Sequence, residues 1–237
     1  MPDISQLRPN IASAFQWPNT PEYAKLSYFV MRHDVRKTKL FTANNATRRI
    51  DTVVAHCQTG MDLFRPLVVA YGDDSQRLQD TLRQALIRGR QYFFSITPRL
   101  RPDLESVATI YSPVIGHIYA LAAADLHAVP NVLVQMIHTP DGKPRAIIRA
   151  RDESPAAEAG VNWMSADFAE VFVRVDERVR GRGLGKSVVS ALSTHLLEMG
   201  RIPIYITAND NIASQRLATR LGYRDTGARE LSGILQM

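Results

Sequence analysis

The stretch RVRGRGLGKSVV, residues 178–189, sets three glycines and four cationic side chains between a strand-like run and a helix-like run. Glycine lets the backbone turn tightly and approach a ligand closely. Cations gathered where a helix begins describe either an anion site or a basic surface turn that caps an ordinary helix. Spacing decides which kind. A phosphate loop of the form glycine, four residues, Gly-Lys-Ser would need glycine at Arg180, and Gly181 is one residue out of place. The dinucleotide fingerprint begun at Gly181 and Gly183 would need glycine or alanine at Lys186. About fifty residues follow the loop, too few for the further strand and helix units of a nucleotide-binding α/β domain.

The flanks define the local architecture. Upstream, DFAEVFVRVDE alternates, with Ala169, Val171, Val173 and Val175 on one face and Phe168, Glu170, Phe172 and Arg174 on the other, which predicts a strand. Downstream, Leu184, Val188, Ala191, Leu192, His195, Leu196 and Met199 recur at helical spacing, and Gly200 stands where a helix would stop. IPIYITA, residues 202–208, reads as a short buried strand. Then NDNIASQRLATRLGYRDTG, residues 209–227, reads as an Asx-capped helix ended by a glycine.

Arg180-x-x-Gly183-x-Gly185 between strand and helix, followed by Asn211, Ser214, Leu217, Leu221, Gly222 and Tyr223 in order, resembles the two signatures of the GCN5-related N-acetyltransferase (GNAT) superfamily. Two motifs at the expected separation are far more specific than one. NVLVQMIHT and PRAIIRARD, joined by PDGK with its Asp141-Gly142 turn, extend the resemblance back to about Asn131 as two further strands. The resemblance implies the acyl-CoA N-acyltransferase fold, a mixed α/β sheet with flanking helices, in a C-terminal catalytic domain over residues 107–237. SPVIGHIYALAAADLHA, residues 112–128, gives mixed helix and strand signals and is expected near the core.

Residues 1–106 supply more α/β material without a glycine-rich loop. RRIDTVVAHCQT, LFRPLVVAYG and QYFFSIT read as strands, and DDSQRLQDTLRQALIRG as a helix with Leu78, Leu82, Ala85 and Leu86 on one face. By arrangement alone this resembles the degenerate N-terminal lobe of larger, two-lobed members. TPRLRPDLES, residues 97–106, is the expected linker.

Composition fits an ordinary globular protein: 237 residues, 45% hydrophobic, enough for one large core or two modest ones. No apolar run reaches a membrane span of roughly 18 residues, and MPDISQLRPN lacks a charged-then-apolar signal segment, so a cytoplasmic location is the default expectation. The single cysteine, Cys57, lies in an apolar strand and reads as a buried thiol. Six scattered histidines show no ligand spacing, so no metal is expected. The net charge of +6 raises nucleic acid as a partner, and RHDVRKTK and RGRQYFF do pair cations with aromatics. The basic residues are nevertheless spread along the chain, and coenzyme A carries several phosphate charges of its own.

The resemblance assigns roles. An amine attacks the thioester of acetyl-CoA directly, without a covalent acyl-enzyme. The strand at Val173, Arg174 and Val175 would pair with the pantetheine arm. Arg180, Gly181, Arg182, Gly183, Leu184, Gly185 and Lys186 would take the pyrophosphate, and Asn211 would line the arm near the thiol. Glu170 is the candidate general base, since an ammonium must lose its proton before attack; Asp167 and Asp176 are further carboxylates at the strand ends. Ala218 stands where many relatives carry a tyrosine that protonates the leaving thiolate, which leaves that proton to water, Tyr223, Tyr205 or the N-terminal lobe. The expected partners are acetyl-CoA and an unidentified amine acceptor, with neither membrane nor nucleic acid, and the reading admits a homodimer. A non-catalytic acyl-CoA sensor is the alternative function, and a nucleic-acid binder the third.

Overall fold

The computed structural model describes residues 4–60 and 62–237. Residues 1–3, the start of the stretch read above for a signal segment, lie outside them. The chain divides into two compact units, one of residues up to Gly116 together with Arg229–Met237, the other His117–Ala228.

In the first unit, helices α1 (Ile4–Phe15) and α2 (Pro21–Ser27) precede strands β1 (Thr38–Asn44), β2 (Ile50–Cys57) and β3 (Leu67–Gly72), helix α3 (Ser75–Ala85) and strand β4 (Gln91–Ile96). β1, β2 and β3 are antiparallel neighbours, whereas β3 and β4 run parallel and are joined by α3. The end of strand β11 (Arg224–Gln236) pairs antiparallel with β4, Leu231 opposite Ile96 and Gln236 opposite Gln91. Leu78, Leu82, Ala85 and Leu86 are buried with Tyr92, Phe94, Leu231 and Leu235 in one core. Tyr92 and Phe94, two of the three aromatics of RGRQYFF, are therefore packing residues, while Phe93 is half-buried with the Arg65 guanidinium over its ring. Cys57 is also fully buried, and burial pushes its thiol up to about 12.

The expected linker is not one. Residues 98–105 form a 3-10 turn followed by the short helix α4 (Arg101–Glu105), and Leu100 and Leu104 are buried in the first unit's core. Proline and charge marked this segment as a connection, but Pro98 and Pro102 stand in first-turn positions that helices accept. The mixed stretch, residues 112–128, resolves as most of strand β5 (Thr109–Ala120) followed by a 3-10 turn.

The second unit continues with β6 (Gln135–His138), β7 (Pro144–Arg149), β8 (Pro155–Met164), β9 (Phe168–Val175), α5 (Leu184–Glu198), β10 (Ile202–Ala208) and α6 (Ile212–Arg220). The sheet order is β10-β9-β8-β7-β6. β6 to β9 are antiparallel in succession, and β10 returns parallel to β9. The sequence reading missed β8, whose PAAEAGV is poor in strand formers. Its small residues have a packing reason. Ala157, Ala159 and Val161 lie in one core with Val188, Val189, Leu192 and Leu196 of α5, and a Cβ on Gly160 would stand 2.8 Å from the Phe172 ring of β9.

The buried face of α5 is also wider than its apolar stripe. Ser187, Ser190 and Ser193 are buried and each finds a partner: Ser187 Oγ accepts from Asn131 Nδ2 (3.1 Å), Ser190 Oγ from the Val129 N–H (2.8 Å), and Ser193 Oγ bonds the Tyr223 hydroxyl (2.7 Å). Met199, expected on the stripe, is exposed.

Leu221 and Tyr223 anchor in the same core on either side of Gly222, whose φ is +96°. A Cβ at Gly222 would lie 1.7 Å from the Asp125 carbonyl oxygen, so no side chain fits there. Gly222→Ala is therefore expected to cost about 3 kcal/mol or more, from left-handed strain plus displaced backbone. Denaturant unfolding checks this, and a loss below about 1 kcal/mol would contradict it.

Candidate functional site

β9 leaves the sheet through a 3-10 turn, Glu177–Val179, that Asp176 caps. The Asp176 carboxylate accepts from Arg178 Nη2 (2.6 Å), Arg178 Nε (3.0 Å) and the Arg178 N–H (2.9 Å). The guanidinium and then the backbone N–H hold this carboxyl down to about 2, which makes Asp176 a poor base, and Arg178 is tied beside it. Gly181 and Gly183 follow, both at φ +80°, with nothing within 4 Å of a Cβ built on either. Gly183 caps α5. Gly185 has another reason to be glycine, because its Cβ would meet Val175 Cγ2 at 3.0 Å. Two glycines thus set the turn and the third sets the contact between helix and strand. The first-turn N–H groups of α5 have no intrahelical acceptor and carry the positive end of the helix dipole.

The opposite wall comes from α6, which follows β10. β10 pairs with β9 from Ile202–Phe168 to Tyr205–Val171 and no further, although both strands continue. Asn211 caps α6, its Oδ1 accepting the Ser214 N–H (3.1 Å). Gln215 Nε2 donates to the carbonyls of Ala208 (3.1 Å) and Asn209 (2.8 Å), which braces the turn from strand to helix.

Between these walls lies a cavity of about 850 Å³. Val173, Arg174, Val175, Arg180, Gly181, Gly183, Leu184, Gly185, Lys186 and Asn211 line it, all from the set expected on sequence. Arg182, the remaining member of that set, is exposed and not part of the lining. Sequence reasoning missed Val179, Ala213, Ser214, Arg216, Leu217 and Arg220. Helical spacing from Asn211 could have found the α6 residues, since 213, 216, 217 and 220 share a face. No Asp or Glu lines the cavity, while five cations do. Two of the five are tethered, Arg174 to Glu158 (3.3 Å) and Arg180 to Glu177 (3.2 Å).

Glu170 is not on an exposed face. It is 7% exposed, with Asn162 Nδ2 donating to Oε1 (2.7 Å) and Trp163 Nε1 to Oε2 (2.6 Å). Two consecutive residues can reach one carboxylate because the β8 register shifts between Val161 and Met164. Glu170 pairs with Ile204, one residue before the β9–β10 ladder ends. Asp167 is exposed at the start of β9.

The tyrosines separate. Tyr223 is packed in the core, its hydroxyl bonded to Ser193, and burial raises its pKa. Tyr205 stands on the last β9–β10 pair, and its hydroxyl meets the side chain of Ser214, a cavity residue. Burial raises the Tyr205 pKa as well. Ala218 is fully buried.

Residues 159–231 match the family described as FR47-like protein. No curated protein matches. Among solved structures the chain is similar to a GCN5-related N-acetyltransferase from Kribbella flavida, at 19% identity over 90% of this chain and 94% of that one, with a TM-score of 0.65. It is also similar to a GCN5-related N-acetyltransferase-like protein from Streptococcus suis, at 14% identity over 98% and 99% of the two chains, with a TM-score of 0.61. A tandem GNAT protein from the clavulanic acid biosynthesis pathway matches at 13% identity over 98% and 92%, with a TM-score of 0.59. These likenesses show a shared fold.

The Asn211 cap makes the α6 wall testable by itself. Asn211→Ala is expected to lower stability by about 1 kcal/mol, the usual loss for a cap of this type, and an unchanged unfolding midpoint would refute the assignment.

Proposed function

From a chain that belongs by fold to the GCN5-related N-acetyltransferase superfamily, we propose an acyl-CoA-dependent N-acyltransferase that moves the acetyl group of acetyl-CoA to a primary amine in a ternary complex. The observation that supports this best is the cavity itself: a glycine turn, a helix N-terminus and a lining that contains cations but no carboxylate, beside the edge of β9 past the point where β9 and β10 part. An elongated ligand with a pyrophosphate and a thin, amide-bearing arm suits that shape. The loop N–H groups from Arg180 to Lys186 receive the pyrophosphate, and the unpaired edge of β9 at Val173 to Val175 receives the arm as an added strand would.

The thioester supplies an acyl group already activated toward an amine. The chain's residues then handle protons. Glu170 accepts a proton from the acceptor ammonium, directly or through one water, while Asn162 and Trp163 hold its carboxylate in place. Tyr205 rather than Tyr223 serves the leaving thiolate, acting through Ser214. Its raised pKa keeps it protonated throughout the neutral range, so its donor role persists until the solution is alkaline.

A panel of primary amines with acetyl-CoA, followed by thiol release, tests the reading. Coenzyme binding without turnover of any amine would favour the sensor function instead. Glu170→Gln is expected to reduce kcat/KM by about a hundredfold at neutral pH, and the deficit should shrink as pH rises and the free amine accumulates. Parallel pH profiles for the two proteins would remove Glu170 from the mechanism. Gly183→Val should keep the fold and lose acetyl-CoA affinity, because its side chain would project from a left-handed residue into the cavity. Unchanged affinity in the folded variant would contradict the site.

A further inference from the structure

The first unit has a concave site of its own. A cavity of about 370 Å³ is lined by α1, β1, β2 and the turn that joins these two strands, with no residue of the β3–α3 crossover in its lining. Arg48, Arg49, Asn10 and Asn44 line it together with the apolar Leu7 and Ile50, and among the described residues no Asp or Glu does. The turn has a tight backbone plan. The Asn45 carbonyl accepts the Arg48 N–H (3.0 Å), the Asn45 N–H donates to the Arg49 carbonyl (2.8 Å), and Asn45 Oδ1 accepts the N–H groups of Thr47 (3.0 Å) and Arg49 (3.0 Å). Arg48 thereby takes the left-handed place after the turn, at φ +61°. Glycine or asparagine suits that place, because a longer side chain crowds the backbone there. Arginine stands against this local preference, and the fold gains no contact from it: the Arg48 guanidinium has no hydrogen bond or ion pair among the described residues. Arg49, by contrast, reaches the Ser13 carbonyl of α1 at 3.3 Å. A strained residue whose side chain holds nothing inside the fold points to a ligand.

The lining also says which ligand. Two guanidiniums with no carboxylate beside them match a dianion, and a phosphomonoester carries close to two negative charges at neutral pH where a carboxylate carries one. Forked N–H donors suit its oxygens, and the side-chain amides of Asn10 and Asn44 have no partner of their own among the described residues. Leu7 and Ile50 suit a small apolar ester group, and the volume is within the size range of small-molecule pockets. We propose that this cavity binds a small organic phosphomonoester through Arg48 and Arg49, and that arginine is kept at position 48 for this ligand against its backbone preference. The site belongs to the first unit and does not depend on the acyl-transfer reading.

Calorimetric titration of the full chain with phenyl phosphate and with benzoate, in phosphate-free buffer at one ionic strength, tests it. The unaltered protein should bind phenyl phosphate about tenfold or more tighter than benzoate, the size expected for added charge-assisted hydrogen bonds. Arg48→Gly and Arg49→Gln should each weaken phenyl phosphate by about tenfold or more. Gly183→Val, which alters the loop of the second unit, should leave this affinity within about twofold. Without ligand, Arg48→Gly should unfold at the same temperature as the unaltered chain or higher, because glycine relieves the left-handed strain. No binding of phenyl phosphate, equal affinities for the two probes, or unchanged affinity in the arginine variants would overturn the site. A loss in Gly183→Val alone would assign the binding to the loop and overturn it as well. A lower unfolding midpoint for Arg48→Gly would show that the fold itself uses this side chain, which would overturn the case for a ligand.

Discussion

The second unit is organised around a ladder that stops. Past Val171 and Tyr205, β9 and β10 no longer pair, and backbone groups freed from a sheet need another partner. Holding two strands apart is unfavourable unless something else fixes each of them. β8 holds β9 from its other side as far as Val175, and α5 packs its Val188, Val189, Leu192 and Leu196 into the core that β8 and β9 share. Gln215 and the Asn211 cap fix the end of β10, and the Gly222 contact with Asp125 fixes the end of α6. The gap is therefore built into the fold, which lowers the ordering cost of binding.

A parallel strand–helix–strand crossover occurs in each unit, and the two differ in chemistry at the same point. β3 leads into α3 through Asp73 and Asp74, and Asp74 Oδ1 accepts the Arg77 N–H at 2.9 Å. That helix satisfies its N-terminal donor internally and presents carboxylates, which suit the dipole and repel an anion. β9 leads into α5 through Gly181 and Gly183, with no side chain to cap the helix. The donors there remain available for a ligand. The same backbone plan thus gives a side-chain-capped helix start in one unit and an uncapped one in the other.

The elements legible from sequence were those whose local chemistry matched their final environment. Strand β9, with valines on one face, and the Gly183 and Gly222 turns could be read because alternation and positive φ leave direct marks on residue choice. β8 could not, because it is packed so closely beneath α5 and beside Phe172 that alanine and glycine replace the usual strand formers. The serines of α5 look like a solvent face until their partners at Val129, Asn131 and Tyr223 are known, and those contacts are long-range. Pro98 and Pro102 suggested a linker, yet both occupy helix starts over buried leucines. At the site, motif spacing reached the loop wall, but Arg216 and Arg220 become cavity residues only once α6 is placed across from it. The Glu170 position was legible, whereas its clamp depends on a bulge that puts Asn162 and Trp163 on one carboxylate.

The central claim is that the glycine turn and the parted strands together hold an acyl-CoA. It is tested most directly by titrating isotope-labelled protein with coenzyme A while following backbone amide resonances. The account predicts that the amides of Gly181, Gly183, Gly185 and Lys186 move first and furthest, together with Val173 and Val175, while ATP at the same concentration leaves Val173 and Val175 in place. Shifts confined to the loop and matched by ATP would mark a simple phosphate site and contradict the account.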